Sequence, residues 1–215
     1  YKNYKYMSLP DEYRNTELVD FAGTPATTHW ILDENGFPLA IDIYDVYDDP
    51  DNYFISLTRP KTHDTVVATL TLKNVVMGAP YCNPAGTGNQ KPLMHRGQPT
   101  GLNYNMFLIA QNIRPDFSIL DGVEGMQGNG PVRGFAMDHG IALAGTDAIA
   151  VDRIGLELMD IPYEDVAYLQ WCSRAGMGQG ERSMIDIEGP DPAGYVKKYK
   201  LHDKIDWQLG WKKTG

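Results

Sequence analysis

Apolar positions along this chain do not keep a single period. In HWILDENGFPLAIDIYDVY (29–47) two alternating apolar runs flank Asn35–Gly36, a dipeptide suited to a tight turn, so the segment is expected to form a β-hairpin. DDPDN (48–52) then interrupts the pattern. Beyond it, short apolar runs alternate with longer helical ones. YFISLT (53–58), FSIL (117–120), GIALAG (140–145) and SMIDIEG (183–189) have the length and composition of strands. TVVATLTLKNVVMG (65–78), Leu102 to Ile113, TDAIAVDRIGLELMD (146–160) and PYEDVAYLQWCSRAGMG (162–178) have those of helices. Strands this short and this apolar are typical of a sheet buried between layers. The chain is therefore expected to be an α/β protein, with a mostly parallel sheet, helices on both faces and an N-terminal hairpin segment. Its parts are an acidic segment with the hairpin (1–52) packed on the core, an α/β core (53–189) and a basic tail (190–215).

Two stretches fall outside these periods. Residues 79–101 are long and rich in Gly and Pro, and DGVEGMQGNGPVRG (121–134) carries five glycines. Loops of that kind inside a domain are usually functional, so the second is expected to line a ligand site.

Composition narrows the classes. With 215 residues and 42% hydrophobic content, the chain fits one domain with a real core. A net charge of −9 argues against nucleic acid as a partner, since phosphate contacts need a dominant basic face. Charge is uneven: residues 1–51 hold eleven acids against Lys2, Lys5 and Arg14, whereas 191–215 hold six lysines against three aspartates. No apolar run approaches the roughly 20 residues of a membrane span. Cys82 and Cys172 are two thiols, too few for this chain alone to hold an iron–sulfur cluster, and two unpaired cysteines are expected. The chain opens on Tyr1, which suggests trimming or processing and leaves cytoplasmic and exported locations both open.

Open α/β sheets bind ligands beyond the carboxyl ends of their strands. Three strand exits deliver polar groups there: Lys61 and His63 after the first, Asp121 and Glu124 after the second, Thr146 and Asp147 after the third. Lys61 offers a cation, and His63 a proton carrier or metal ligand; the alternative is a helix-capping Thr62 or Asp64 with His63 on the surface. Lys73 is the only charged residue between Thr65 and Tyr81, in a helix that should be buried nearly all round. An unpaired buried ammonium needs a carboxylate or an anionic ligand, unless its stem carries it to solvent. Asn74 adjoins it. The glycine-rich stretch offers an anion-binding nest at Gly128, Asn129 and Gly130, or a hard divalent metal site at Asp121 and Glu124 with His63; a wide surface turn is the alternative. Asp147 is first of all a helix N-cap whose helix dipole also suits an anion. Asp152 has three fates: pairing with Arg153, pairing with Lys73, or exposure. His95, in the 79–101 stretch, could be swung over a site; a surface histidine is the alternative. No P-loop, G-x-S-x-G elbow, HExxH or paired CxxC occurs.

RPKTH, LKNVVMG, RPDFSILDGVEGMQGNGP and GIALAGTDAIAVDRIGLELM, in this order, resemble the domain-of-unknown-function family 362 (DUF362) over residues 51–189. On that resemblance Lys61, His63, Lys73, Asn74, Asp121, Gly128, Asn129, Gly130, Asp147 and Asp152 occupy motif positions. Gln127 stands where the family often has Glu. The resemblance implies an α/β fold and an iron–sulfur or redox association, and no particular reaction. The resulting expectation is an enzyme or enzyme-like subunit binding a small anion, with His63, Lys73 and Asp121 catalytic. Lys61, Asn74, Gly128, Asn129, Gly130, Asp147 and Asp152 would contact the ligand, with Asp121, Glu124 and His63 holding any metal. The rival is a non-catalytic scaffold or electron-transfer subunit, acting as a homo-oligomer or with a redox partner.

Overall fold

A computed structural model describes residues 8–83 and 88–213. After a single helical turn, α1 (Leu9–Glu12), strands β1 (Ala26–Leu32) and β2 (Pro38–Tyr44) form the expected antiparallel hairpin as a separate two-stranded sheet. The Asp33 carboxylate organises its turn by accepting from the backbone N–H groups of Asn35 and Phe37 at 2.8 and 2.9 Å, while Gly36 takes a φ of +83°. Ile31, Ile41 and Ile43 point into the core of the molecule.

The main sheet has five strands: β3 (Ile55–Thr58), β4 (Lys61–Thr62), β5 (Ala68–Thr69), β8 (Phe117–Asn129) and β9 (Arg133–Gly145). The intervening β6 (Cys82–Asn83) and β7 (Gly88–Asn89) form a small hairpin within 79–101, of which residues 84–87 lie outside the described residues. β3 and β4 follow one another along β8, both parallel to it, while β9 runs antiparallel along its other edge and β5 pairs antiparallel with β4. Three of the five strands, β3, β4 and β8, thus share one direction, and in that sense the sheet is mostly parallel, as expected.

Helices α2 (Thr71–Val76), α3 (Thr100–Ala110), α4 (Ala148–Leu158) and α5 (Ala167–Arg174) build the helical layer. Gly155 lets α4 approach the sheet, because a Cβ there would meet Leu120 of β8. At β3 the helices cover one face rather than both: Ser56 and Thr58 are buried, whereas Ile55 and Leu57 are 58% and 62% exposed. The side chain of Asn105 on α3 bonds both backbone groups of Leu32, tying the hairpin to this layer.

Four local expectations are corrected. Residues 121–134 are not a loop. They belong to a long hairpin in which only Gly130, Pro131 and Val132 lie outside β8 and β9. Its glycines serve close packing: a Cβ on Gly130 would strike the Thr62 carbonyl, one on Gly125 the Tyr199 hydroxyl, and one on Gly134 the Met126 side chain. Residues 65–70 are not helical either; β-branched Thr65, Val66 and Val67 form a turn into β5, with Val67 at a φ of +68°. The helix expected over 162–178 is a short 3-10 turn followed by α5, and 183–189 has no strand. The basic tail folds back: Tyr199 and Gln208, the latter ending the short helix α6 (Ile205–Gln208), are buried.

Replacing Gly130 with Ala forces backbone apart from backbone at Thr62 and should cost about 2–3 kcal/mol in urea denaturation. Gly194→Ala, whose added methyl meets nothing within 4 Å, should stay within about 0.5 kcal/mol. Equal stability of the two variants would show that the hairpin end does not depend on this contact.

Candidate functional site

α2 is six residues long, too short to persist on its own helix propensity. Asp152 holds its start. This carboxylate projects from α4 and is fully buried; it accepts from the Thr71 N–H at 2.8 Å, the Thr71 hydroxyl at 2.6 Å and the Leu72 N–H at 3.0 Å. It therefore satisfies two orphan backbone donors of another helix. Burial raises its pKa to about 7 despite these bonds, which act in the opposite direction. Asp147 caps its own helix, accepting from Ile149 and Ala150, and also receives the Gln179 N–H. Neither aspartate pairs with Lys73.

Lys73 follows the capped start of α2 at once. Its side chain is only 6% exposed, and among the described residues no hydrogen bond or ion pair engages its ammonium. The charges that bear on it are mostly cations. Burial, then Lys91 and Lys61, lower its pKa to about 7, with Asp64 opposing them. Lys61 lies on β4 opposite Thr69 of β5, and burial together with Lys91 lowers its pKa too. The Thr69 hydroxyl is sealed and unpartnered.

His63 is buried beside them. Its Nδ1 accepts the Thr65 N–H at 3.0 Å, which places the ring proton on Nε2. The Asp64 carboxylate lies 3.1 Å from the same Nδ1, yet this is not an ion pair. That nitrogen already acts as an acceptor, and burial, followed by Lys73, drives the pKa of His63 down to about 2. His95 ends a 3-10 turn begun by Lys91; burial lowers its pKa against a Gln98 contact that raises it. Three lysines, two histidines and the Asp64 carboxylate thus share one electrostatic neighbourhood, in which positive groups predominate.

The remaining expected residues lie elsewhere. The Asp121 carboxylate accepts from Val123 within its own strand. It precedes Met126, the β8 partner of Lys61, by five residues, or about 16 Å of strand. Glu124 pairs with Arg59 at 3.3 Å on the surface, a contact contributing below about 1 kcal/mol. Asn74 donates to the Ser56 hydroxyl. Gly128 accepts from the Thr62 hydroxyl and donates to the Lys200 carbonyl, Asn129 bonds Asp203, and Gly130 packs against Thr62, so the G-N-G segment fastens the hairpin end to β4 and the tail. Asp121, Glu124 and His63 do not converge: among the described residues no group of three or more His, Cys, Asp or Glu is placed to hold a metal ion. Lys91 and Gln208 were not foreseen. Gln208 donates to the His63 carbonyl at 2.7 Å across 145 positions, a separation no local pattern records.

A family model described as Domain of unknown function (DUF362) matches residues 1–157. The chain belongs to the DUF362 family. The DUF362 match includes the N-terminal hairpin and the whole lysine–histidine cluster, and ends before α5 and the tail. Among curated proteins, the chain is 29% identical over 128 residues to the thylakoid-associated protein sll1697 of Synechocystis sp. (strain ATCC 27184 / PCC 6803 / Kazusa). That alignment takes in 57% of this chain and 37% of the relative. No solved structure matches. Among the described residues, no helix of this DUF362 protein is long and apolar enough to cross a membrane.

Asp152→Ala strands the Thr71 and Leu72 donors and should cost about 3 kcal/mol in chemical denaturation. The raised carboxyl also sets a sign. Between pH 3.8 and about 7 the native state holds this proton more tightly than the unfolded chain, so stability should fall as pH rises through that window. Asp152→Asn should remove that component from a stability–pH profile; an unaltered profile would mean that Asp152 is not its source.

Proposed function

We propose that this DUF362 chain is an enzyme-like protein that binds a small anion at the cluster of Lys61, His63 and Lys73. One observation carries the reading: Lys73 is buried beside other cations, and among the described residues no carboxylate forms an ion pair with it. Desolvating an ammonium costs several kcal/mol, and like charges nearby add to that cost. A bound anion reverses both signs, attracting a proton onto Lys73 and replacing lost hydration with direct contact.

The roles divide by exposure and tautomer. Lys61 and Lys91 supply standing charge at the outer side of the cluster. Lys73 supplies a proton-dependent charge within it. His63 supplies an Nε2–H donor rather than a base, since its other nitrogen is occupied. The redox association implied by the family resemblance is given no residues here, and Asp121 and Glu124 are left out of the site because they lie along the strand from it.

Calorimetric titration with inorganic phosphate, sulfate and pyruvate tests the reading. At least one should bind at pH 6, with affinity falling as pH rises through about 7, because Lys73 then loses the proton that the anion requires. Lys73→Met should reduce that affinity at least tenfold while raising stability by about 1–3 kcal/mol at pH 6, where it removes an uncompensated buried charge. Undiminished binding by Lys73→Met, or no binding of any of the three anions, would overturn the proposal.

A further inference from the structure

β9 pairs with β8 along one edge, and its other edge is guarded over one half only. In the Arg133–His139 half the strand carries charge and is tied to the tail. The Lys197 ammonium donates to the Asp138 carbonyl at 2.6 Å, and His139 Nε2 donates to the Tyr195 carbonyl at 2.8 Å. A bulge at Gly140, with a φ of +76°, ends this half. Beyond it, among the described residues, no hydrogen bond reaches the outer side of Ile141–Gly145. GIALAGT (140–146) also contains no lysine, proline or charged residue. Edge strands usually carry such guards, because an open row of N–H and C=O groups is a template for another strand.

A cleft runs along this unguarded half. Two cavities of about 440 and 280 Å³ lie against it and share Ala142, Leu143, Ile187 and Glu188, so they are continuous. Ile154 and Leu158 of α4 give it an apolar lining. Its far side is the segment 185–190, which starts extended (Ile185 φ −107°, ψ 111°) yet forms no ladder with β9. Ile185 and Ile187 pack on the cluster of Ile141, Ile154 and Leu158, while the alternating Asp186 and Glu188 are exposed. With Asp147, the cleft is lined by three carboxylates and, among the described residues, by no lysine, arginine or histidine.

We propose that this edge binds an extended segment of a partner protein, in which apolar residues alternate with lysine or arginine, as an added strand on β9. The backbone of Ile141–Gly145 supplies the ladder, and main-chain bonding of this kind tolerates many side chains. At roughly 3.3 Å per residue, the open stretch takes five or six residues of the partner. Selectivity comes from the lining: apolar side chains of the added strand face Ile154, Leu158, Ile185 and Ile187, and its basic ones reach Asp147, Asp186 and Glu188. Charge also decides against a second copy of this chain as the occupant. Pairing β9 with β9 would bring the same carboxylates together, between molecules that each carry a net charge of −9. None of the lining residues belongs to the lysine–histidine cluster, so this surface is independent of the anion reading.

The test titrates the whole protein into a fluorescein-labelled octapeptide alternating valine and lysine, and into its valine–glutamate counterpart, with anisotropy as the readout. At low salt the lysine peptide should bind at least tenfold more tightly than the glutamate one, and its affinity should fall as salt rises. Proline at its two central positions should weaken it at least tenfold, since proline interrupts a ladder. Asp186→Lys combined with Glu188→Lys, at two exposed positions, should reverse the preference between the peptides. The bound lysine peptide should also slow hydrogen–deuterium exchange at least tenfold at alternate amides of Ile141–Gly145. No binding of the lysine peptide, or equal binding of both peptides, overturns the proposal. Binding that leaves exchange over 141–145 unchanged overturns strand addition. Exchange there that slows with protein concentration alone gives the edge to a second copy and overturns the basic partner.

Discussion

The arrangement around Lys73 depends on one buried carboxylate. Asp152 reaches from α4 to the first turn of α2 and receives three donors there. Without it, a six-residue helix would begin with unsatisfied N–H groups in a dry interior, each costing more than the helix can recover. The same contact sets the direction of α2 relative to the sheet, and so determines where the next side chains point. Lys73 is buried because the helix that carries it is anchored at both levels: Asp152 holds its backbone, and Leu72, Val75 and Val76 seat it in the core. A structural acid therefore places Lys73 without touching it.

Electrostatics divides the molecule in the same way. The half-buried Asp147 and the buried Asp152 each face backbone donors and are spent on helix ends. The cluster that lacks such compensation is the cationic one. Separation of this kind is costly in stability: a protein selected for stability alone would place an acid beside Lys73 or an apolar side chain in its stead. Retaining the charge deficit is what makes the cluster, rather than the glycine-rich hairpin, the centre of the functional reading.

How much of this was legible in the sequence varies with the range of the contact. The N-terminal hairpin was clear because Asn35–Gly36 sits between two alternating runs. Lys73 stood out as a lone charge in an apolar window, and its burial followed from that. The cap at Asp147 is a local event, two and three residues from its donors, and was expected. The partners of Asp152 lie 80 and 81 positions away, so among its three anticipated fates the actual one did not appear. Glycines concealed the long β8–β9 hairpin, since they add no apolar alternation even when every second residue faces the core. Thr65–Val66–Val67 satisfied a helical period by composition, but the β-branched residues took the tight turn into β5 instead. Lys91 had no signal at all: it lies in a Gly/Pro-rich stretch, and only tertiary structure brings it near Lys73.

His63 shows why identity alone does not assign a role. A histidine at a strand exit suggests a proton shuttle or metal ligand, and both require an available lone pair. Here the Thr65 N–H takes the Nδ1 lone pair, and the His63 carbonyl is fixed by Gln208 from the far end of the chain. With the backbone held on one side and the ring on the other, changing the tautomer would leave the buried Thr65 N–H without its acceptor. Protonating the ring would set a third charge beside Lys61 and Lys73. Both routes to acid–base chemistry are uphill, which leaves the imidazole as an oriented N–H donor. Beside the cations of the cluster, such a donor is suited to an oxygen that carries negative charge, as the proposed anion would require.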